Sequence, residues 1–115
     1  MSKKRVYLDY LQDIQESLSD IIAFTNGMKS EVFLGDKKTQ YAVIRALEII
    51  GEAVKKIPES IKNQYPHIPW KDIAGMRDIL IHEYFGVNTN VIWKSVQDDI
   101  PVLKINIDKI LSNAV

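Results

Sequence analysis

Apolar residues recur at steps of three and four through most of this chain, and no segment alternates apolar with polar residues between hairpin turn signals. That periodicity belongs to helices and argues against a sheet. From about Arg5 to Asn26, Tyr7, Leu11, Ile14, Leu18, Ile21 and Thr25 share one helical face, while Asp9, Asp13, Glu16 and Asp20 form an acidic stripe expected to face solvent. Asn26-Gly27 ends this segment, because glycine accepts the left-handed conformation that closes many helices. A second helix is expected from near Asp36, after the Gly35 break, to about Lys56, with Val43, Ile44, Leu47, Ile50, Gly51, Val54 and Ile57 buried and Pro58 as its limit. Ala42, Ala46 and Ala53 give the same helix a second close-packing surface, which suits a central element of a bundle.

Pro58, Pro66 and Pro69 restrict the next stretch to one short helix and an extended connection. Trp70 opens a third helix expected to run through about Tyr84 and to close at Gly86. Asn88 is a candidate N-cap for a further helix with Val91, Ile92 and Val96, and Pro101 either kinks it or starts a last one through Leu103, Ile107 and Ile110. The expected architecture is all-α: an up-and-down bundle of four main helices plus a short extra helix, one domain over residues 1–115. A chain of 115 residues that is 46% apolar has room for one core, and no repeat or low-complexity segment interrupts it.

Charge and composition narrow the function. Fifteen basic residues balance fifteen acidic ones, so the chain as a whole does not attract a nucleic-acid backbone. Any RNA binding must come from a local cleft or from a surface built by two copies. There is no cysteine, hence no disulfide framework and no thiolate metal site. The basic start Met1-Ser2-Lys3-Lys4-Arg5 is followed by Asp9, Gln12, Asp13 and Glu16 rather than by an apolar signal core, and the apolar runs are too short for a membrane span. A soluble, cytoplasmic protein is the expectation.

On the third helix the apolar face comprises Trp70, Ile73, Ala74, Arg77, Leu80, Ile81 and Tyr84, so Arg77 falls in the middle of a packed stripe. A guanidinium stays charged, and in that position it must be paired, reach water or face a cleft. His82 lies five residues on, about a third of a turn round, an offset that a long arginine side chain can bridge. Asp78 precedes His82 by one helical turn, the spacing at which a carboxylate holds one imidazole nitrogen and leaves the other free. Histidine beside a fixed cation suits RNA cleavage: the imidazole moves a proton as general base or acid while the guanidinium stabilises charge on the phosphorane, with no metal and no cofactor. A salt bridge and a helix-end contact would account for the same two residues without catalysis.

The whole run Ile68-Pro69-Trp70-Lys71-Asp72-Ile73-Ala74-Gly75-Met76-Arg77-Asp78-Ile79-Leu80-Ile81-His82-Glu83-Tyr84-Phe85-Gly86 resembles the signature of the HepT-like branch of the HEPN superfamily. Its kernel is Arg, four residues, His, one residue, Tyr. The likeness continues upstream through Tyr41-Ala42-Val43-Ile44-Arg45-Ala46-Leu47-Glu48-Ile49-Ile50-Gly51-Glu52-Ala53 and downstream at Val91-Ile92-Trp93. The resemblance implies a homodimeric helical bundle in which Arg77 and His82 of two subunits line one cleft, and an endoribonuclease toxin that needs no metal. It also implies a minimal nucleotidyltransferase antitoxin as partner, which in some systems silences the toxin by adenylylating the motif tyrosine, here Tyr84. The rival reading keeps the same helices as a non-catalytic, nucleotide- or partner-binding subunit of a nucleotidyltransferase complex.

The remaining candidates are Asp78 as an orienting residue and Arg45, Glu48 and Glu52 as a stripe either bordering the cleft or forming a solvated face with intrahelical ion pairs. His67 has no second ligand at a metal-binding spacing. Trp70 and Trp93 are expected in the core rather than as base-stacking platforms.

Overall fold

A computed structural model describes the backbone of residues 3–82 and 89–114 and the side chains of residues 6–76 and 89–114. Six helices follow in order: α1 (Lys3–Thr25), α2 (Ser30–Leu34), α3 (Lys37–Lys55), α4 (Glu59–Lys62), α5 (Trp70–His82) and α6 (Thr89–Ala114). No strand occurs among the described residues. None of these helices is long and apolar enough to cross a membrane.

The periodic faces become the core. Leu11, Ile14, Leu18 and Ile21 of α1 are fully buried, and they meet Val43, Leu47, Ile50 and Val54 of α3 and Ile100, Ile107 and Ile110 of α6. Removing a branched aliphatic side chain of this kind from water contributes about 1.5–3 kcal/mol each. Helix α1 stops at Gly27, whose φ of 76° places it in the left-handed region, and Met28 N–H donates to the Thr25 carbonyl across the turn at 3.0 Å. Helix α3 starts from Asp36, whose carboxylate accepts from the Thr39 N–H at 3.1 Å and from the Thr39 hydroxyl at 2.7 Å. These bonds, the hydroxyl's first, hold the Asp36 carboxyl below its ordinary range.

Cross-helix contacts fix the directions. Lys56, just past the end of α3, lies 5.5 Å over the ring of Tyr10 near the start of α1, so those two helices are antiparallel. Gln15 donates to Asp108 at 2.7 Å, which sets the last third of α6 beside the middle of α1. Ile61, Tyr65, Tyr7, Ile110 and Asn113 line one small recess, so the α4 segment sits at that same end and α5 departs from it. Helix α5 therefore rises antiparallel to α3 and finishes at the opposite end, beside α2 and the starts of α3 and α6. The result is an up-and-down bundle.

One feature departs from the sequence reading and another decides between its alternatives. The expected single extra helix is accompanied by a second short one, α2, in the stretch between Gly27 and Gly35 that reads as a break. It forms because Phe33 is fully buried against Trp93, ring centroids 4.9 Å apart, and because Gln40 donates its side-chain amide to the Phe33 and Leu34 carbonyls at 2.9 and 3.0 Å. Pro101 does not start a new helix; it lies inside a continuous α6. It is exposed, as is Gln97 one turn earlier, so the carbonyl that loses its N–H partner can be satisfied by water.

Candidate functional site

Helix α5 is anchored at its base. Trp70 is buried and its indole N–H donates to the Tyr65 carbonyl at 3.1 Å; Ile73 N–H closes the first turn on the Pro69 carbonyl at 3.1 Å. Ile73, Ala74 and Met76 pack half-buried against the core. From that base the helix carries residues 77, 78 and 82 to its far end. Positions 78 and 82 are one turn apart, about 6 Å along the axis, and positions 77 and 82 are about 7.5 Å apart along it. The side chains of Arg77, Asp78 and His82 lie outside the described residues, as do Tyr84, Gly86 and the expected cap Asn88 altogether.

Lys29, Lys37, Lys38, Arg45 and Lys94 are exposed in the half of the bundle where α5 finishes, together with Asp20, Glu31, Asp98 and Asp99, and the capping Asp36 is half-buried there. The charges of that half are therefore mixed, as they are over the chain as a whole.

The structure brings Arg45 and Glu48 together, 3.3 Å apart, with the Arg45 side chain 67% exposed and that of Glu48 21%. An exposed pair of this kind contributes about 0.3–0.5 kcal/mol. Glu52 does not join them; it lies 4.0 Å from Lys56 and lines a recess with Tyr10 and Asp13 on the α1 side. His67 is exposed, its ring edge-on to Tyr65 at 6.5 Å. Trp93 is half-buried against Phe33, a structural role in keeping with its apolar face.

A groove of about 350 Å³ runs between α5 and α6 over Leu47 and Ile50 of α3. Its described rim carries Asp72, Asp98 and Asp99 and no lysine or arginine. Three carboxylates on the rim repel a phosphate backbone. Sequence reasoning did not single out Lys38 and Tyr41, which lie exposed in the half of α3 nearer the end of α5. The signal available was an aromatic residue one helical turn from both Lys38 and Arg45.

Comparison with known proteins gives a consistent answer. A family model described as "Ribonuclease HepT-like" matches residues 14–110. A protein of Thermococcus cleftensis named as a probable ribonuclease HepT is 56% identical over 107 residues, covering 93% of this chain and 97% of its own. A protein of Methanocaldococcus jannaschii provisionally named an RNase is 50% identical over 110 residues, covering 96% and 91% of the two chains. A further one from Caldanaerobacter subterraneus, also provisionally named an RNase, is 44% identical over 102 residues, 89% and 91%. No solved structure matches the chain.

Proposed function

The chain belongs to the ribonuclease HepT-like family, and on that premise we propose that it is the toxin of a toxin–antitoxin pair, a metal-independent endoribonuclease acting in the cytoplasm as a homodimer. The observation that carries this reading is the family match over residues 14–110, which contains the complete Arg77, His82 and Tyr84 kernel.

In this mechanism Arg77 holds the non-bridging oxygens of the scissile phosphate. His82 takes the proton from the ribose 2′-hydroxyl, whose oxygen attacks the adjacent phosphorus. The bond from phosphorus to the 5′-oxygen breaks, and that oxygen receives a proton from a protonated imidazole, either the same His82 or its counterpart in the second subunit. The products are a 2′,3′-cyclic phosphate and a 5′-hydroxyl. An imidazole that moves protons contributes about 10²–10⁴-fold, and a fixed cation at the phosphorane adds several kcal/mol of charge stabilisation, so no divalent ion is needed for either task. Asp78, one turn before His82, orients the imidazole. Two copies meeting at α5 concentrate two Arg77 side chains in one cleft.

Regulation follows from position. A nucleotidyltransferase antitoxin that transfers AMP from ATP to the Tyr84 hydroxyl, releasing pyrophosphate, puts bulk and negative charge two residues from His82. Both oppose entry of another phosphate backbone. The test is the chemistry of the ends. RNA fragments bearing 2′,3′-cyclic phosphate and 5′-hydroxyl termini support 2′-hydroxyl attack, whereas 5′-phosphate termini would exclude it.

A further inference from the structure

The outward face of α3 sets an exposed aromatic ring between two exposed cations. Tyr41 is 54% exposed on the outward side of α3, and Lys38 and Arg45 flank it at three residues before and four after, so all three share one face of the helix. Glu48 and Glu52 continue the same face: Glu48 is engaged by one Arg45 nitrogen at 3.3 Å and Glu52 lies 4.0 Å from Lys56, and because a guanidinium has five N–H donors the others of Arg45 are available to a second acceptor.

The height of this ridge relative to α5 follows from the groove between α5 and α6. Leu47 of α3 and Met76 of α5 line the same groove, and the two helices are antiparallel. Six residues back along α3 from Leu47 is Tyr41; six residues on along α5 from Met76 is His82. Each step is about 9 Å in the same direction. Tyr41 therefore stands level with the position of His82, on the neighbouring helix.

We propose that Lys38, Tyr41 and Arg45 form a subsite for single-stranded RNA beside the scissile phosphate, in which the Tyr41 ring stacks on a base and the two cations take the flanking phosphates. Stacking on an aromatic ring accepts any base, and two exposed cations a turn to either side follow a backbone without reading its sequence. The groove on the other side of α5 reinforces this path, since Asp72, Asp98 and Asp99 line it and, among the described residues, no lysine or arginine does. The inference rests on the ribonuclease reading for its substrate, but its residues lie outside the Arg77 and His82 machinery.

The experiment measures binding of a fluorescently labelled single-stranded 12-mer RNA by anisotropy, with every variant made in the full-length His82→Ala background so that the RNA stays intact. Adding Tyr41→Ala is expected to raise Kd about tenfold, while Tyr41→Phe, which keeps the ring, leaves it within twofold. Adding Lys38→Ala with Arg45→Ala is expected to weaken binding and to lower the slope of log K against log salt by about 1.4, the value for two phosphate contacts on a single strand. Circular dichroism confirms that each variant is folded. Equal Kd values for Tyr41→Ala and its background, or an unchanged salt slope in the double variant, would overturn the subsite. A wild type that cleaves no RNA while the ridge variants still lose binding would leave the subsite standing and remove the catalytic reading instead.

Discussion

Phe33 is the side chain whose removal tests most sharply how α2 is held against the start of α6. It is fully buried, belongs to a helix of only five residues, and packs its ring 4.9 Å from that of Trp93. Phe33→Ala loses the transfer energy of the ring and leaves a void, a change that costs about 3–5 kcal/mol in protein cores. Because α2 is short and lies at the periphery it can collapse inward, so the lower end, about 3 kcal/mol, is expected. About 1 kcal/mol of that is the aromatic pair with Trp93. With a urea m-value of about 1.5 kcal/mol/M for a chain of this size, the midpoint should fall by about 2 M. The assay is urea unfolding followed by far-ultraviolet circular dichroism and by tryptophan fluorescence, at one fixed protein concentration because self-association makes stability depend on it. A midpoint shift below about 0.5 M would refute the reasoning and mean that α2 does not brace the start of α6.

Three further outcomes are expected. Gln40→Leu strands the Phe33 and Leu34 carbonyls that the side-chain amide now serves, and should cost about 2 kcal/mol, read as a Tm lowered by about 8 °C; an unchanged Tm would mean that water replaces the amide. The Asp108 carboxyl is held below its ordinary range by the hydrogen bond from Gln15 first and then by that from Lys104. A depressed carboxyl stabilises the fold above its unfolded pKa, about 3.9, and loses that contribution as pH falls through the folded value, so the stability gap between wild type and Asp108→Asn should be constant from pH 7 to 5 and shrink below about pH 4. Urea midpoints across that range check it, and a gap undiminished at pH 2 would contradict it. Pro101→Ala restores an N–H to the middle of α6 without touching the core and should raise stability by about 1 kcal/mol in the same urea assay; a lower midpoint would mean that the helix needs the bend.

The parts of the fold legible in the sequence are those where one helix face decides burial. Leu11, Ile14, Leu18 and Ile21, spaced by three and four, are all fully buried, and the α3 stripe from Val43 to Ile57 is buried throughout. Helix α2 escaped because five residues between two glycines carry no period, and its one buried residue is defined by a distant partner, Trp93. Pro101 was ambiguous for a local reason: whether a proline breaks a helix depends on which side it faces, and solvent beside Gln97 resolves it. At the site, Arg77 drew notice as a charge inside an apolar stripe, a conflict visible without coordinates. Lys38 and Tyr41 gave no such conflict. An exposed tyrosine beside lysines near a helix start looks like ordinary surface until the antiparallel pairing of α3 and α5 sets it level with His82.

The measurement that tests the central claim most directly is cleavage of a labelled RNA in excess EDTA by wild type, His82→Ala and Arg77→Ala, each shown to be a folded dimer. The account expects wild-type activity that survives the chelator and falls by at least about 10²-fold in both variants. Equal cleavage by all three proteins, or none by unmodified wild type across several RNAs, would contradict it.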